Sequence, residues 1–167
     1  MTDSGQIESG QIESGQIELT GRSLHPGRAD APLIQLEQPL SFWGGVDAAG
    51  TVVEARHPQY GIRLAGAVVA MPTGRGSSSS TAVLAELIRA GTAPAGLLLA
   101  ERDTILVTGA LVAAEIYGRW MPIVELSDSD FSRLATGRAV ALTAGLAPSP
   151  VQVRVDSCTD TPERIRS

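Results

Sequence analysis

Three short apolar segments separated by two segments of helix length constrain this chain more than any other feature. Gly66–Met71 (GAVVAM), Ala95–Ala100 (AGLLLA) and Met121–Leu126 are of strand length and have the apolar character of strands buried on both faces. Between the first two, Ser77–Ala90 places Val83, Leu84, Leu87 and Ile88 on one helical face and runs into Gly91, a suitable stop. Between the second pair, Asp103 is placed to cap a helix over Thr104–Tyr117, closed by Gly118, with Val107, Leu111 and Ala114 as its core stripe. This β-α-β-α-β order predicts a parallel sheet with crossover helices. The other strand candidates, Ile17–Leu24, Pro32–Leu36, Val140–Thr143 and Val151–Val155, are shorter and less strongly patterned. They predict a second antiparallel sheet or a small barrel layer; a short helix is expected over Asp128–Leu134.

The ends read differently from the middle. SGQIE occurs three times in succession, at Ser4–Glu8, Ser9–Glu13 and Ser14–Glu18. With one apolar residue per copy, the repeat buries too little to offset the cost of ordering it. We therefore expect a disordered tail over 1–16, a folded domain over 17–156 and a flexible tail over 157–167 that holds the lone Cys158. A net charge of -5 leaves no electrostatic footprint for nucleic acid. No apolar run approaches the roughly 18 residues of a membrane span. The N-terminus lacks the basic-then-apolar order of a secretion signal, so the expected location is the cytoplasm. All 13 basic residues are arginine, which excludes a lysine Schiff base and a Walker-type phosphate loop from this chain.

Ligand sites in parallel sheets lie beyond the C-terminal strand ends, and the first strand-to-helix turn is the most unusual stretch of the chain. It reads Pro72-Thr73-Gly74-Arg75-Gly76-Ser77-Ser78-Ser79-Ser80-Thr81. Glycines let a ligand approach the backbone closely. A helix start offers unpaired N–H groups and partial positive charge, which together favour an anion. That anion is a substrate carboxylate, a phosphate, or the Ser77 oxygen itself. Helix capping alone explains one serine, and low-complexity drift could extend the run. Lowering the pKa of a serine hydroxyl by about 5 requires about 7 kcal/mol, whereas a helix terminus supplies about 0.3–2 kcal/mol. Further positive charge is needed, for which Arg75 is the local candidate, and the remainder must come from substrate, metal or another chain.

Two other places are candidates. The loop Ser41–Asp47, with Gly44 and Gly45, either approaches a substrate or forms a tight turn with Phe42 and Trp43 packed beneath it or against a partner. His57, followed by Pro58, is either a scaffold residue or a residue at the site's edge. His25, also followed by proline, reads as structural or solvent-facing, and Arg119 as a charge near a helix end.

The stretch from Met71 to Leu126, beginning MPTGRGSSSS, resembles the small-subunit or swivel domain of the aconitase X family, and PLSFWGGVDAAGTVVEARHP (Pro39–Pro58) is similar to the start of that family's pattern. The resemblance covers about Leu19 to Val155. It implies a swivelling β/β/α domain with a parallel and an antiparallel sheet. It implies an iron-dependent hydro-lyase active only with a large subunit, which would carry the iron or iron–sulfur cluster, none being bound by this chain alone. Substrates known for the family are the small hydroxy acids cis-3-hydroxy-L-proline, expected here, and mevalonate 5-phosphate, the alternative. Ser77 matches the serine proposed as base, with Gly74, Arg75, Gly76, Ser78, Ser79, Gly44, Gly45 and His57 as substrate-binding candidates. Ordinary aconitases and isopropylmalate isomerases are similar at this turn but carry a carboxylate-binding arginine where this chain has Ser79, which argues against citrate or isopropylmalate. A non-catalytic anion-binding module is the alternative of a different class. A phosphohistidine carrier is disfavoured, since no histidine follows Gly61.

Overall fold

The computed structural model describes residues 16–146 and 151–156. Its elements are β1 (Gln16–Leu19), β2 (Gly21–His25), β3 (Gly27–Gln35), α1 (Phe42–Gly45), β4 (Val68–Met71), α2 (Ser80–Ala90), β5 (Gly96–Leu99), α3 (Thr104–Tyr117), β6 (Ile123–Leu126), α4 (Asp128–Phe131), β7 (Ala139–Ala144) and β8 (Gln152–Asp156).

The apolar runs become a buried parallel sheet. Strands β3, β4, β5 and β6 pair in parallel in chain order, and β2 closes the far edge antiparallel to β6. Successive side chains of each strand face opposite ways, and each face has its own core. Val69, Met71, Leu97, Leu99 and Ile123 pack with Leu84, Leu87, Ile88, Leu106 and Ala110 of α2 and α3. Val68, Ala70, Leu98 and Val124 pack with Val140, Leu142, Val153 and Val155. The second group belongs to an antiparallel sheet in the order β1-β8-β7-β3. Helices, parallel sheet and antiparallel sheet thus form the expected β/β/α layering, with a sheet rather than a barrel as the third layer.

Strand β3 joins the two sheets. Gly27–Pro32 pair antiparallel with β7, and Leu33–Gln35 pair parallel with β4. Pro32, which has no N–H to donate, stands where the ladder changes partners. The strand is longer than the expected Pro32–Leu36 because Gly27–Ala31 carries no apolar run. The single strand expected over Ile17–Leu24 is two strands, β1 on β8 and β2 on β6. The stripe expected for α3 holds at Ala114, which is buried, and at Val107, which packs against the core, but not at Leu111, which is 48% exposed; Leu106, Gly109, Ala110 and Ala113 are buried instead. That helix is apolar nearly all round, so periodicity selects no face. A Cβ on Gly109 would lie 2.9 Å from the Thr81 carbonyl oxygen and 3.2 Å from Leu84 Cβ, so the small-residue side is the one that can approach α2.

Both crossovers return on the same side, so the N-termini of α2 and α3 meet at the C-terminal end of the sheet. The Thr81 hydroxyl donates to the Ile105 carbonyl at 3.0 Å and ties them there. The β3–β4 connection covers the same side, with Leu36, Leu40, Phe42, Val46, Val52 and Leu64 in the helix-side core. The tails expected over 1–16 and 157–167, and Cys158, lie outside the described residues, apart from Gln16, which opens β1. Among the described residues no helix is long and apolar enough to cross a membrane.

Candidate active site at the glycine-serine turn

The chain leaves β4 at Pro72 and is fastened to its neighbours before α2 begins. The Pro72 carbonyl accepts the N–H groups of Ala100 and Glu101 at 3.1 and 2.9 Å. Gly74 forms a parallel bridge with Leu40, and the Arg75 N–H donates to the Leu40 carbonyl at 3.2 Å. Gly74 is needed because a Cβ there would lie 2.0 Å from Asp103 Oδ2. The same carboxylate caps α3, its Oδ1 accepting from the N–H groups of Ile105 and Leu106 at 2.8 and 3.1 Å. Gly76 has φ +101°, and a Cβ on it would lie 2.9 Å from Ser41 Oγ. The turn is therefore wedged between the loop after β3 and the start of α3, and both wedges require glycine.

The serine run divides into a buried end and an exposed end. Ser80 is buried, and its hydroxyl oxygen accepts the Trp43 N–H at 3.1 Å. Ser80 and Thr81 thus hold the scaffold together. Ser77, Ser78 and Ser79 are exposed. The Ser77 oxygen accepts the Ser79 N–H at 3.1 Å, and its hydroxyl donates to Ser79 Oγ at 3.2 Å. The Ser77 and Ser78 carbonyls accept the N–H groups of Ser80 and Thr81 at 2.9 and 3.0 Å. The helix expected from Ser77 therefore starts at Ser80, because Ser77 turns its hydroxyl back onto the helix start instead of entering it.

The remaining candidates separate. Arg75 is half-exposed and its guanidinium is paired with Glu54, a residue the sequence reading did not single out. Trp43 (φ −75°, ψ 112°) and Gly44 (φ 74°, ψ −8°) have the dihedrals of a type II turn, so α1 is a turn at its centre. Phe42 is buried beneath it, whereas Trp43 is 59% exposed. Gly44 faces open space and Gly45 is buried. His57 does not belong to the open face. It is buried, one ring nitrogen lies 3.3 Å from the Gln38 carbonyl and the other accepts the Gln59 N–H at 3.1 Å. With both nitrogens engaged by backbone, it braces the connection and has no nitrogen left for a substrate.

The geometry offers an exposed hydroxyl at the start of an 11-residue helix, its oxygen already receiving a backbone N–H, with a guanidinium on the same turn. That arrangement suits a group that gains negative charge. Among the described residues no group of three His, Cys, Asp or Glu side chains could hold a metal ion.

A family model described as the aconitase X swivel domain matches residues 18–147. The chain is 43% identical over 141 residues to a cis-3-hydroxy-L-proline dehydratase of Pseudomonas aeruginosa, covering 80% of this chain and 24% of that protein. It is 44% identical over 120 residues to one of Hypocrea jecorina, covering 71% and 20%. The chain thus spans about a quarter or less of the hydroxyproline dehydratases that it matches. It is 37% identical over 128 residues to a phosphomevalonate dehydratase small subunit of Thermococcus gammatolerans, covering 76% and 92%. Among solved structures, the aconitase X of Thermococcus kodakaraensis superposes with a TM-score of 0.72 at 30% identity, over 84% of this chain and 99% of that one.

Proposed function

The chain belongs to the aconitase X swivel-domain family, and from that membership we propose that it is the small subunit of a cytoplasmic hydro-lyase whose site is completed by a large subunit. The proposed substrate is a small hydroxy acid, with cis-3-hydroxy-L-proline as first choice. The observation that carries this reading is the exposed Ser77 hydroxyl bonded to the N–H at the start of α2. In the assembled enzyme Ser77, ionised, removes the proton from the carbon beside the substrate carboxylate. The C–H bond breaks and an O–H bond forms on Ser77. The electron pair becomes the new C=C bond as hydroxide leaves the neighbouring carbon. An iron or iron–sulfur centre, which we place in the large subunit, would supply Lewis acidity toward the leaving hydroxyl when bound.

Magnitudes favour a shared site. Lowering the pKa of Ser77 by about 5 takes about 7 kcal/mol. The helix start contributes about 0.3–2 kcal/mol, and a hydrogen bond to a charged oxygen about 1.5–3 kcal/mol. At least about 2 kcal/mol remains, to be supplied by arginine, substrate and the exclusion of water when two bodies close.

The test is to co-purify the chain with its large subunit and assay both substrates. Ser77→Ala is expected to lower kcat by about 10²–10⁴ while the subunits still associate; near-normal turnover would remove Ser77 as base. A second reading, dehydration of mevalonate 5-phosphate, is favoured by the similarity that runs over 92% of the Thermococcus gammatolerans subunit. Turnover of the phosphorylated substrate alone would select it.

A further inference from the structure

We infer that Glu54 is a positioning residue for the reaction, holding the Arg75 guanidinium so that its open edge receives the substrate carboxylate. This rests on the reading of the Ser77 turn as a dehydratase site.

Arg75 stands between Gly74 and Gly76, two residues before Ser77. Its own turn does little to orient it, and a free arginine side chain has about 2 kcal/mol of rotamer entropy to lose. Glu54 removes that freedom from a separate element. It lies 21 residues earlier, in the β3–β4 connection, and its Oε1 accepts from Arg75 Nη2. The backbone there is itself fixed, the Val53 N–H donating to the Gly45 carbonyl at 2.8 Å and the His57 N–H to the Glu54 carbonyl at 3.0 Å.

The second carboxylate oxygen, Oε2, is buried with no hydrogen-bond partner among the described residues. It sits on the glycine-lined side of the loop, where a Cβ on Gly45 would be 3.5 Å from it. The Glu54 side chain as a whole is partly exposed, but one carboxylate oxygen left buried without a partner is costly, and the Arg75 charge offsets that cost here. Guanidinium carries five N–H donors in a planar fork. Glu54 engages one edge, and the side chain is still 53% exposed, so a second carboxylate can dock on another edge. The chain thereby places an anchored arginine two residues before Ser77, with Ser79 two residues after it.

In the two-subunit enzyme, Glu54→Gln keeps the shape and removes the charge. It is expected to raise KM about tenfold, with kcat within about twofold and melting temperature little changed. Arg75→Ala raises KM at least as much, and Arg75→Lys does so too because it keeps the charge but loses the fork. The double variant E54Q/R75A should be no worse than R75A alone. An unchanged KM in E54Q, or effects that multiply in the double variant, would overturn the inference. A second readout needs no turnover: in ¹⁵N spectra of the arginine side chains, the Arg75 signal, assigned by its loss in R75A, should be distinct in the wild type and averaged in E54Q. If the wild-type assembly dehydrates neither substrate, the dehydratase reading fails on its own. An Arg75 signal identical in wild type and E54Q then refutes the anchoring as well.

Discussion

At Ser77 a structural role and a chemical role rest on the same oxygen. It accepts the Ser79 N–H in the turn that leads into α2, and the same bond would stabilise the ionised form during turnover. The two roles differ in size. Losing one such hydrogen bond costs about 1 kcal/mol of stability, whereas losing a base costs about 10²–10⁴ in rate. Ser77→Ala should therefore lower the unfolding free energy by about 1 kcal/mol in a urea titration while nearly abolishing activity; a large stability loss with modest loss of rate would make Ser77 a turn residue only. His25 gives a second residue-level prediction, far from the turn. It is buried, Nδ1 lies 2.8 Å from the Met121 carbonyl, Nε2 has no partner among the described residues, and the ring stacks on Trp120 at 5.6 Å. Burial pushes its pKa below the ordinary histidine value, outweighing the hydrogen bonds to the Met121 and Pro26 carbonyls that raise it. The neutral ring is thus favoured in the folded chain. Its contribution is full above the unfolded pKa, about 6.5, and is lost as pH falls from there toward the lowered folded value. Melting temperature should fall as pH drops below about 6.5, and His25→Asn should flatten that slope at the cost of a lower plateau.

At the level of elements, the apolar runs and the helix between Asp103 and Gly118 were legible because burial on both faces and a side-chain cap leave local signals. Three things were not. Strand β3 changes sheets at Pro32, and nothing in a polar stretch such as Gly27–Ala31 announces pairing decided by β7. Strands β1 and β2 run together in sequence, yet they pair with opposite edges of the molecule. The Glu54–Arg75 pair spans 21 residues with no periodic relation, so it exists only once the β3–β4 connection has folded over the turn. The turn itself was placed correctly beyond β4, but its glycines have a reason that only packing reveals. Gly74 faces the carboxylate that caps α3. Gly74→Ala should therefore displace Asp103 and destabilise the fold by about 1–3 kcal/mol. Combining it with Asp103→Ala, itself worth about 1 kcal/mol as a lost cap, should cost less than the sum, because one clash underlies both. Additive losses in denaturant titrations would show that the turn and the α3 cap are independent.

For the whole molecule, the question is what covers the end where Ser77 sits. Trp43 is on the rim of that end, with its backbone N–H bonded to the Ser80 hydroxyl and the residue 59% exposed. Tyr60 and Ile62 are exposed on the same β3–β4 connection, which also carries Glu54. A body that closes over Ser77 tightly enough to exclude water has to cover the neighbouring Trp43 ring as well. Large aromatic residues that become desolvated in this way often dominate association, at about 2 kcal/mol or more when truncated, or roughly thirtyfold in affinity. The chain has two tryptophans, and the other, Trp120, packs against His25. In a Trp120→Phe background Trp43 is this chain's one tryptophan, and its emission, after subtraction of the large subunit's own, should shift to the blue on docking. Trp43→Ala should weaken association roughly thirtyfold and leave kcat near normal when the partner is saturating. Emission unmoved by a partner that restores full turnover would mean that the large subunit approaches Ser77 from a side that leaves Trp43 in water, and the proposed closure over this end would be wrong.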